Sequence, residues 1–481
     1  MITQCNFEGC VTELPERVGS ASEKQLCVYC DVCLPKFLQM LSENKKKDRE
    51  LSNLIDKYLI PQELEKKSNA EVSTPFKLRQ EMLDKIPVEF WTKINKVFEP
   101  CAGKGGFIID IIDRFMIGLK NIIPDEEERR RTIVEECLYF SDINPTNIFI
   151  CKLLIDPDNE YKLNYNEGDT LKLDIKEKWG IDGFDAVIGN PPYESQTGTG
   201  DNKLYLDFTK YSINSLHRDG ILLFITPTTI IDYIIQMDKN RNYLDEFYNI
   251  EYIALNTPEK YFKVSSTFTY FMLKKQKYTG NTIIEHYKGK DIIRLKKGMK
   301  LPKIPSKLDL SIINKICSSE HCYAIKKCTF SNKTQRIRKQ HITRGIVSNN
   351  KTNDHQYKIY DTINKTHPQG KYYYYDKLDN DVGKKRLIFS NKGYLLPFLC
   401  ENKDVTYSDN FSYILYETNL LKLMKSKIVD YLIYQYSKNG FDRINCIKMI
   451  KKVNLKDNIY ESFNLTEEEI NIIECSNLNT V

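Results

Sequence analysis

From about residue 70 to 275, short apolar runs alternate with longer amphipathic stretches. Six runs have strand length and are rich in β-branched or aromatic residues: KVFEP (96–100), LYFSD (138–142), FDAVIGN (184–190), GILLFITP (220–227), YIALN (252–256) and FTYFMLKK (268–275). Between them, IIDIIDRFMIGL and YLDFTKYSINSL repeat apolar residues at helical spacing. Strands alternating with helices predict an α/β fold, with a mostly parallel sheet covered on both faces.

The pattern changes at both ends of this region. Residues 34–60 read as helical, with Phe37, Met40, Leu41, Leu51, Leu54, Ile55 and Tyr58 near helical spacing and Pro61 as a stop. Beyond 280 the regularity fades into basic clusters (Lys333, Arg336, Arg338, Lys339, Arg344; Lys384, Lys385, Arg386) and a tyrosine run, KYYYYDKLDN. A helical stretch, NLLKLMKSKIVDYLIYQYSK, follows, and LTEEEINIIE opens like a capping box. The expected organisation is an N-terminal element over 1–60, a catalytic domain over 61–280 and a separate α+β domain over 281–481.

Composition narrows the class. The 481 residues are 41% hydrophobic and 28% charged, ordinary for a soluble globular protein. No apolar run reaches the ~18 residues of a membrane span, and the opening residues do not read as a basic-then-apolar signal peptide, so none is expected. An intracellular, reducing location is expected, in which the fourteen cysteines are not a disulfide framework. The 31 Tyr against 2 Trp reflect a codon bias rather than a physical need. Net charge is +6 but uneven: residues 281–481 hold 35 Lys+Arg against 21 Asp+Glu, so the acidic excess lies upstream. A basic C-terminal part points to a polyanion partner, against the alternative of a merely solvated lysine surface.

The first strand of the alternating region runs into Glu99-Pro-Cys-Ala-Gly-Lys-Gly-Gly-Phe107 and then a helix. Glycines between strand and helix let the backbone approach a ligand, although they also serve plain turns. A phosphate loop would end in Gly-Lys-Ser/Thr and a dinucleotide loop would read G-x-G-x-x-G; neither is present. Asp142 ends the next strand, where an acid accepts ribose hydroxyls, and Asp169 in EGDTL stands where a third strand would finish. Glu99, Asp142 and Asp169 then line one rim of the sheet. Without a phosphate signature, a nucleoside carrying an amino acid, S-adenosylmethionine, fits better than a dinucleotide.

The fourth strand ends on the same rim in Asn190-Pro191-Pro192-Tyr193. Two prolines fix φ twice and remove two N–H donors, leaving carbonyls as acceptors. An amide oxygen and a proline carbonyl together suit an amino group with two hydrogens, such as adenine N6, and Tyr193 offers a face for a base.

These residues resemble the γ-class S-adenosylmethionine-dependent amino-methyltransferases, the DNA N6-adenine methyltransferases of type II and fused type IIG restriction–modification systems. STPFKLRQEM (73–82) is similar to the helix-opening motif before the glycine loop, which implies cofactor contacts from Thr74 and Pro75. FEPCAGKGGF is similar to the glycine loop, implying a cofactor site made of Glu99, Cys101, Ala102, Gly103, Gly105 and Phe107. SDINP and GDTL add Asp142, Ile143 and Asp169, the last near the cofactor adenine. GNPPY is similar to the catalytic motif, implying that Asn190 also contacts the cofactor, and SSTFTYFML (265–273) to the motif whose aromatic residue, matched here by Phe268 with Tyr270 close by, stacks on an extruded base. The resemblance implies a Rossmann-like domain with a seven-stranded, mostly parallel sheet. It also implies a DNA-recognition domain, in which KRLIFSNKGYLLPF and LTEEEINIIE match loosely.

Asn-Pro-Pro-Tyr also occurs in enzymes that methylate RNA bases or protein glutamine amides, and N4-cytosine enzymes usually carry Ser at the position of Asn190. The opening motif and the basic domain favour adenine in double-stranded DNA. An RNA adenine methyltransferase and a non-catalytic DNA-binding protein that keeps the fold are the alternatives. No acidic pair followed by Glu-x-Lys is found, so methylation without cleavage is expected. Cys5-x4-Cys10 and Cys27-x2-Cys30-x2-Cys33 approach zinc-ribbon spacing. Cys5, Cys10, Cys27 and Cys30 are candidate ligands of a structural Zn2+, with Cys33 an alternative to Cys30 and reduced surface thiols the competing reading.

Overall fold

The computed structural model of the chain describes residues 3–4, 13–14, 33–44, 46–58, 73–193, 203–235, 247–255, 260–261, 267–318, 320–328, 342–344, 346–364, 367–376, 378, 381–390, 397–408, 410–436 and 443–476. The chain divides into two compact units, Met1–Lys300 and Leu301–Val481.

The first unit is built on a sheet of β1 (Val97–Glu99), β2 (Leu138–Asp142), β3 (Asn164–Glu167), β4 (Phe184–Gly189), β5 (Leu216–Pro227), β6 (Tyr248–Leu255), β7 (Phe268–Lys277), β8 (Thr282–His286) and β9 (Gly289–Ile293). Their spatial order is β9-β8-β6-β7-β5-β4-β1-β2-β3. The β1–β2, β1–β4, β2–β3, β4–β5 and β6–β8 pairs are parallel. Strand β7 runs antiparallel between β5 and β6. The chain order reverses at β1, which sends β2 and β3 to one side and β4 to the other. That is the switch point at which open α/β sheets leave a crevice beyond the strand ends.

The sheet has nine strands rather than the seven expected. The two extra strands are a hairpin, β8–β9, closed at Gly289 with φ +134. Both lie past residue 280, so the first unit continues to Lys300. On the hairpin, exposed Ile283 and Ile292 stand beside buried Ile284 and Ile293, so adjacent apolar residues hide the alternation of a half-buried strand. By contrast β4 is buried at five of its six residues, and such two-sided burial makes a strand read as one apolar run.

The helical stretch before Pro61 is two helices, α1 (Cys33–Glu43) and α2 (Asp48–Tyr58), separated by a turn at Lys46 with φ +61. Neither is set apart from the rest of the first unit. Leu41, Leu51 and Ile55 belong to the same apolar core as Leu78, Phe107, Ile111 and Phe115. Polar contacts add to this docking. Arg130 forks onto Asp48 at 2.8 and 2.9 Å, and Ser52 bonds to both members of a second buried pair, in which Arg79 Nε donates to Asp110 Oδ2 at 2.6 Å. Cys5, Cys10, Cys27 and Cys30 lie outside the described residues, and the described residues contain no group of His, Cys, Asp and Glu placed to hold a metal. No described helix is long and apolar enough to cross a membrane.

The second unit is α+β. One sheet pairs Lys326–Lys327, Phe411–Leu415, Arg386–Ser390 and Phe398–Cys400, and another pairs His367–Tyr375, Tyr357–Asn364 and Val405–Tyr407. Helices Lys427–Tyr436 and Glu467–Cys475 share an apolar core with the first of these sheets, the latter helix opened by a capping box between Thr466 and Glu469. The basic cluster at 384–386 does not form a free cationic patch. Arg386 is fully buried with its guanidinium 5.5 Å from the Tyr413 ring. Lys384 pairs with Asp381 at 2.7 Å and Lys385 with Glu401 at 2.9 Å. Three hydrogen bonds, from Lys326, Lys384 and Tyr413, hold the Asp381 carboxyl well below the usual carboxylate range. Residues 333–339 lie outside the described residues; Arg344 is exposed.

Candidate active site

The ends of β1, β2 and β4 and the turn after β3 meet around a cavity of about 430 Å³, within the usual range for small-molecule sites. Its rim is knit across strands. Ala102 N donates to Ser141 O at 2.9 Å, and Thr170 Oγ1 donates to Pro100 O at 2.7 Å while sharing a 2.7 Å bond with Ser141 Oγ.

The glycine loop leads into α4 (Gly106–Gly118), with Gly105 as its N-cap at φ +84, a conformation that glycine adopts without penalty. Gly106 is required for another reason. A Cβ there would stand 2.8 Å from Arg79 Cζ, so the absent side chain is what admits the guanidinium.

Glu99 ends β1 and is only 2% exposed; its carboxylate accepts from the Ile108 N–H at the start of α4. Oε2 is buried without a hydrogen-bond partner among the described residues. Burial pushes this carboxyl well above the ordinary range, opposed by the Arg79 charge and reinforced by Asp142. An unsatisfied buried acceptor in a cavity wall is costly unless a ligand supplies a donor.

Asp142 is likewise buried, and burial raises its carboxyl against the N–H groups that it accepts. Gly103 N donates to Oδ2 and Asn144 N to Oδ1, each at 2.8 Å, so the acid tethers the glycine loop to β2. Asp169 Oδ1 accepts from Leu171 N at 3.1 Å and its Oδ2 pairs with Lys172 at 3.1 Å. Burial, with Glu99 and Asp142 adding to it, pushes the Cys101 thiol well up and keeps it neutral; the Asn190 N–H opposes this.

Helix α3 (Phe76–Leu83) opens at Pro75, which brings Thr74 against β4. Asn190 Nδ2 donates to Thr74 Oγ1 at 3.1 Å, and the Tyr193 hydroxyl donates to Asn190 Oδ1 at 2.8 Å. Burial, above all, raises the Tyr193 phenol and keeps it protonated. Phe268 reaches the same rim because β7 is antiparallel to β5: its first residue pairs with Pro227, the last of β5. The Tyr193 and Phe268 rings lie 5.3 Å apart, tilted by 39°. Tyr270 is committed elsewhere, donating to Glu81 Oε1 at 2.8 Å and stacking on Tyr252.

Thr74, Glu99, Cys101, Ala102, Gly103, Phe107, Asp142, Ile143, Asp169 and Asn190 through Tyr193 all line the cavity; Pro75, Gly105 and Phe268 do not. Arg79, Lys104, Asn147, Leu204, Phe208 and Ile55 of α2 line it as well and were missed. Lys104 and Phe208 lie in the glycine loop and in the LYLDF helix, so their placement was within reach of the sequence. Ile55 lies far upstream, and nothing in its surroundings marks it.

Comparison with known proteins adds a family to this geometry. No curated protein matches the chain. Among solved structures, the DNA-bound ATP-dependent Type ISP restriction-modification enzyme LlaBIII aligns at a TM-score of 0.45 and 14% identity, over 89% of this chain and 41% of that one. The Type IIL restriction-modification enzyme MmeI in complex with DNA aligns at 0.43 and 10% identity, over 95% and 71%. A modification subunit from Vibrio vulnificus YJ016 aligns at 0.37 and 12%, over 59% of this chain and 66% of that one. The chain thus spans two thirds or less of two of these three. Residues 136–262 match the family model of the Eco57I restriction-modification methylase, and this segment carries Asp142, Asp169 and Asn190–Tyr193. Over that segment the chain is similar to the restriction-modification methylase family that its motifs resemble.

Proposed function

We propose that the chain methylates the exocyclic N6 of adenine in double-stranded DNA, with S-adenosylmethionine as donor and with the target base turned out of the helix. What carries this reading is the convergence, on one rim, of the Asn190 amide, the Tyr193 and Phe268 rings and a cavity wall with an unsatisfied Glu99 Oε2.

The cavity residues fit the cofactor. Glu99 offers a buried anionic acceptor for an ammonium group, Asp142 an acceptor for ribose hydroxyls, and Asp169 an acceptor beside an adenine amino group. Thr74, Cys101, Ala102, Gly103, Phe107 and Ile143 would complete its walls. When bound, the cofactor supplies a methyl group activated on a sulfonium. Asn190 Oδ1 and the Pro191 carbonyl would accept the two hydrogens of the target amine, which frees its lone pair from the ring. Tyr193 and Phe268 would hold the base by stacking, and Pro192 keeps the turn rigid.

The basic excess of the C-terminal part supports a role for the second unit in gripping phosphate and reading the site. The N-terminal cysteines are proposed as a zinc site on spacing alone; metal analysis of the purified protein tests that, and a zinc-free, fully folded protein would remove it.

The test of the activity is transfer of labelled methyl to unmethylated genomic DNA, to total RNA, or to neither. Label in DNA at adenine N6 supports the proposal. Label in RNA alone would replace it with the RNA enzyme, and no transfer would favour a DNA-binding protein that keeps the fold.

A further inference from the structure

An asparagine can accept the hydrogens of a target amine only when its amide presents Oδ1, and not Nδ2, to the base. The two ends of a carboxamide are nearly the same shape, so packing alone does not choose between them. We propose that Thr74 is the positioning residue that holds the Asn190 amide in place for this, by offering Nδ2 a fixed acceptor; the inference rests on the reading of Asn190 as the acceptor for the target amine.

With an amine in place, the amide orientation that avoids donor facing donor turns Oδ1 to the base and Nδ2 away from it. Nδ2 must then find an acceptor on the far side, and Thr74 Oγ1 is that acceptor, at 3.1 Å. On the near side, Oδ1 meets the Tyr193 hydroxyl at 2.8 Å, beside the Phe268 ring. A hydroxyl can donate or accept, so neither Tyr193 nor Thr74 sets the orientation by itself; Thr74 contributes a fixed acceptor for Nδ2 once the amine has set it.

Thr74 is itself held still. It is buried, and its carbonyl accepts from Arg79 Nη1 at 2.5 Å. The same guanidinium is fixed by Asp110 Oδ2 and by Ser52 Oγ of α2, both at 2.6 Å. Ser52 Oγ also donates to Asp110 Oδ1 at 2.7 Å, which closes the network. The orientation of the Asn190 amide is thereby referred to a rigid set of groups reaching back to residues 48–58, well before the glycine loop. Glycine at 106 belongs to the same device, because a side chain there would displace the guanidinium.

Thr74→Val keeps the shape and removes the acceptor; Thr74→Ser keeps the hydroxyl. The full chain is assayed for cofactor Kd by calorimetry and for methyl transfer to DNA at saturating cofactor. Removing the Thr74 acceptor from Nδ2 is expected to lower kcat about tenfold or more in Thr74→Val, with cofactor Kd changed less than about threefold, while Thr74→Ser recovers most of the rate. Thermal unfolding of both variants checks the fold, and serine has the poorer packing, so a loss due to packing alone would strike it harder. Weakened cofactor binding with kcat intact in Thr74→Val would overturn the inference and make Thr74 a cofactor contact only. Thr74→Ser as slow as Thr74→Val would overturn it too, since the hydroxyl would then not be the determinant. Wild-type protein that methylates no nucleic acid sinks the proposed function itself, a different result from either.

Discussion

The Tyr193 and Phe268 rings stand 5.3 Å apart and tilted by 39°, in contact with each other. A base held between two rings needs them about 7 Å apart, twice a van der Waals contact. The site as it stands is closed to a base, and the Tyr193 hydroxyl occupies Asn190 Oδ1 at the same time. Entry of a base must move a ring and release that oxygen in one motion. Tyr193→Phe removes the hydroxyl and keeps the face, so transfer is expected to stay within about tenfold of wild type, one neutral hydrogen bond being worth about 1 kcal/mol. Tyr193→Ala loses stacking worth about 1–3 kcal/mol and should also raise KM for DNA. Equal loss in both variants would show that the hydroxyl is needed for chemistry.

Asn190→Ala removes the acceptor and leaves the walls of the cofactor cavity standing. Transfer at saturating cofactor should fall by about 10²–10³, the usual effect of losing one preorganised polar group at a reacting centre. Calorimetry should find cofactor affinity nearly unchanged. A parallel loss of affinity would place Asn190 in cofactor binding alone.

Several features of this site were readable from residue order because they are local. β4 is buried on both faces from Ala186 on, so AVIG reads as one apolar run, and Asn190 is the first residue after it. Glu99 and Asp142 are the last residues of β1 and β2, so finding the strands found the rim. The features that were missed depend on pairs distant in sequence. Nothing near Ser52, Arg79 or Asp110 announces that they meet, and an arginine in an amphipathic helix reads as solvated until its partner is known. The same holds for Lys384, Lys385 and Arg386, which look like a polyanion site until Asp381, Glu401 and the Tyr413 ring are brought to them. Strand β9 carries exposed Ile292 next to buried Ile293, so its apolar content showed no alternation to read.

Cofactor affinity should depend on pH through Glu99. Burial lifts its carboxyl well above the ~4.3 of an ordinary glutamate, so the free fold holds this proton more tightly than the unfolded chain does. Ionised Glu99 therefore costs stability at pH values above the ordinary range, and the fold gains as pH falls through the raised value. A cationic ligand that pairs with Glu99 must drive off the proton. Affinity should then rise with pH, by at most about tenfold per unit, and level off once Glu99 is ionised in the free protein. Calorimetry in two buffers of different ionisation enthalpy should detect the released proton below that plateau. Glu99→Gln should bind more weakly and with a flat profile in the same range; a profile unchanged from wild type would assign the titration to another group.

Arg79 and Asp110 are each about 2% exposed at the side chain, so their ion pair is shielded from solvent and salt. Removing one partner of such a pair typically costs about 3–5 kcal/mol, because the other charge is left buried and alone. Asp110→Ala is therefore expected to lower unfolding stability by that amount, a large part of the ~5–15 kcal/mol of a typical domain. Replacing both residues with apolar ones of similar size should restore much of it, since no buried charge remains. The repaired fold should still transfer poorly, because Thr74 has lost the guanidinium that holds its carbonyl and the cavity has lost the counter-charge to Glu99. Denaturant unfolding and transfer assays on the single and double variants separate the two effects. Full activity in the stable double variant would reduce Arg79 to a packing element.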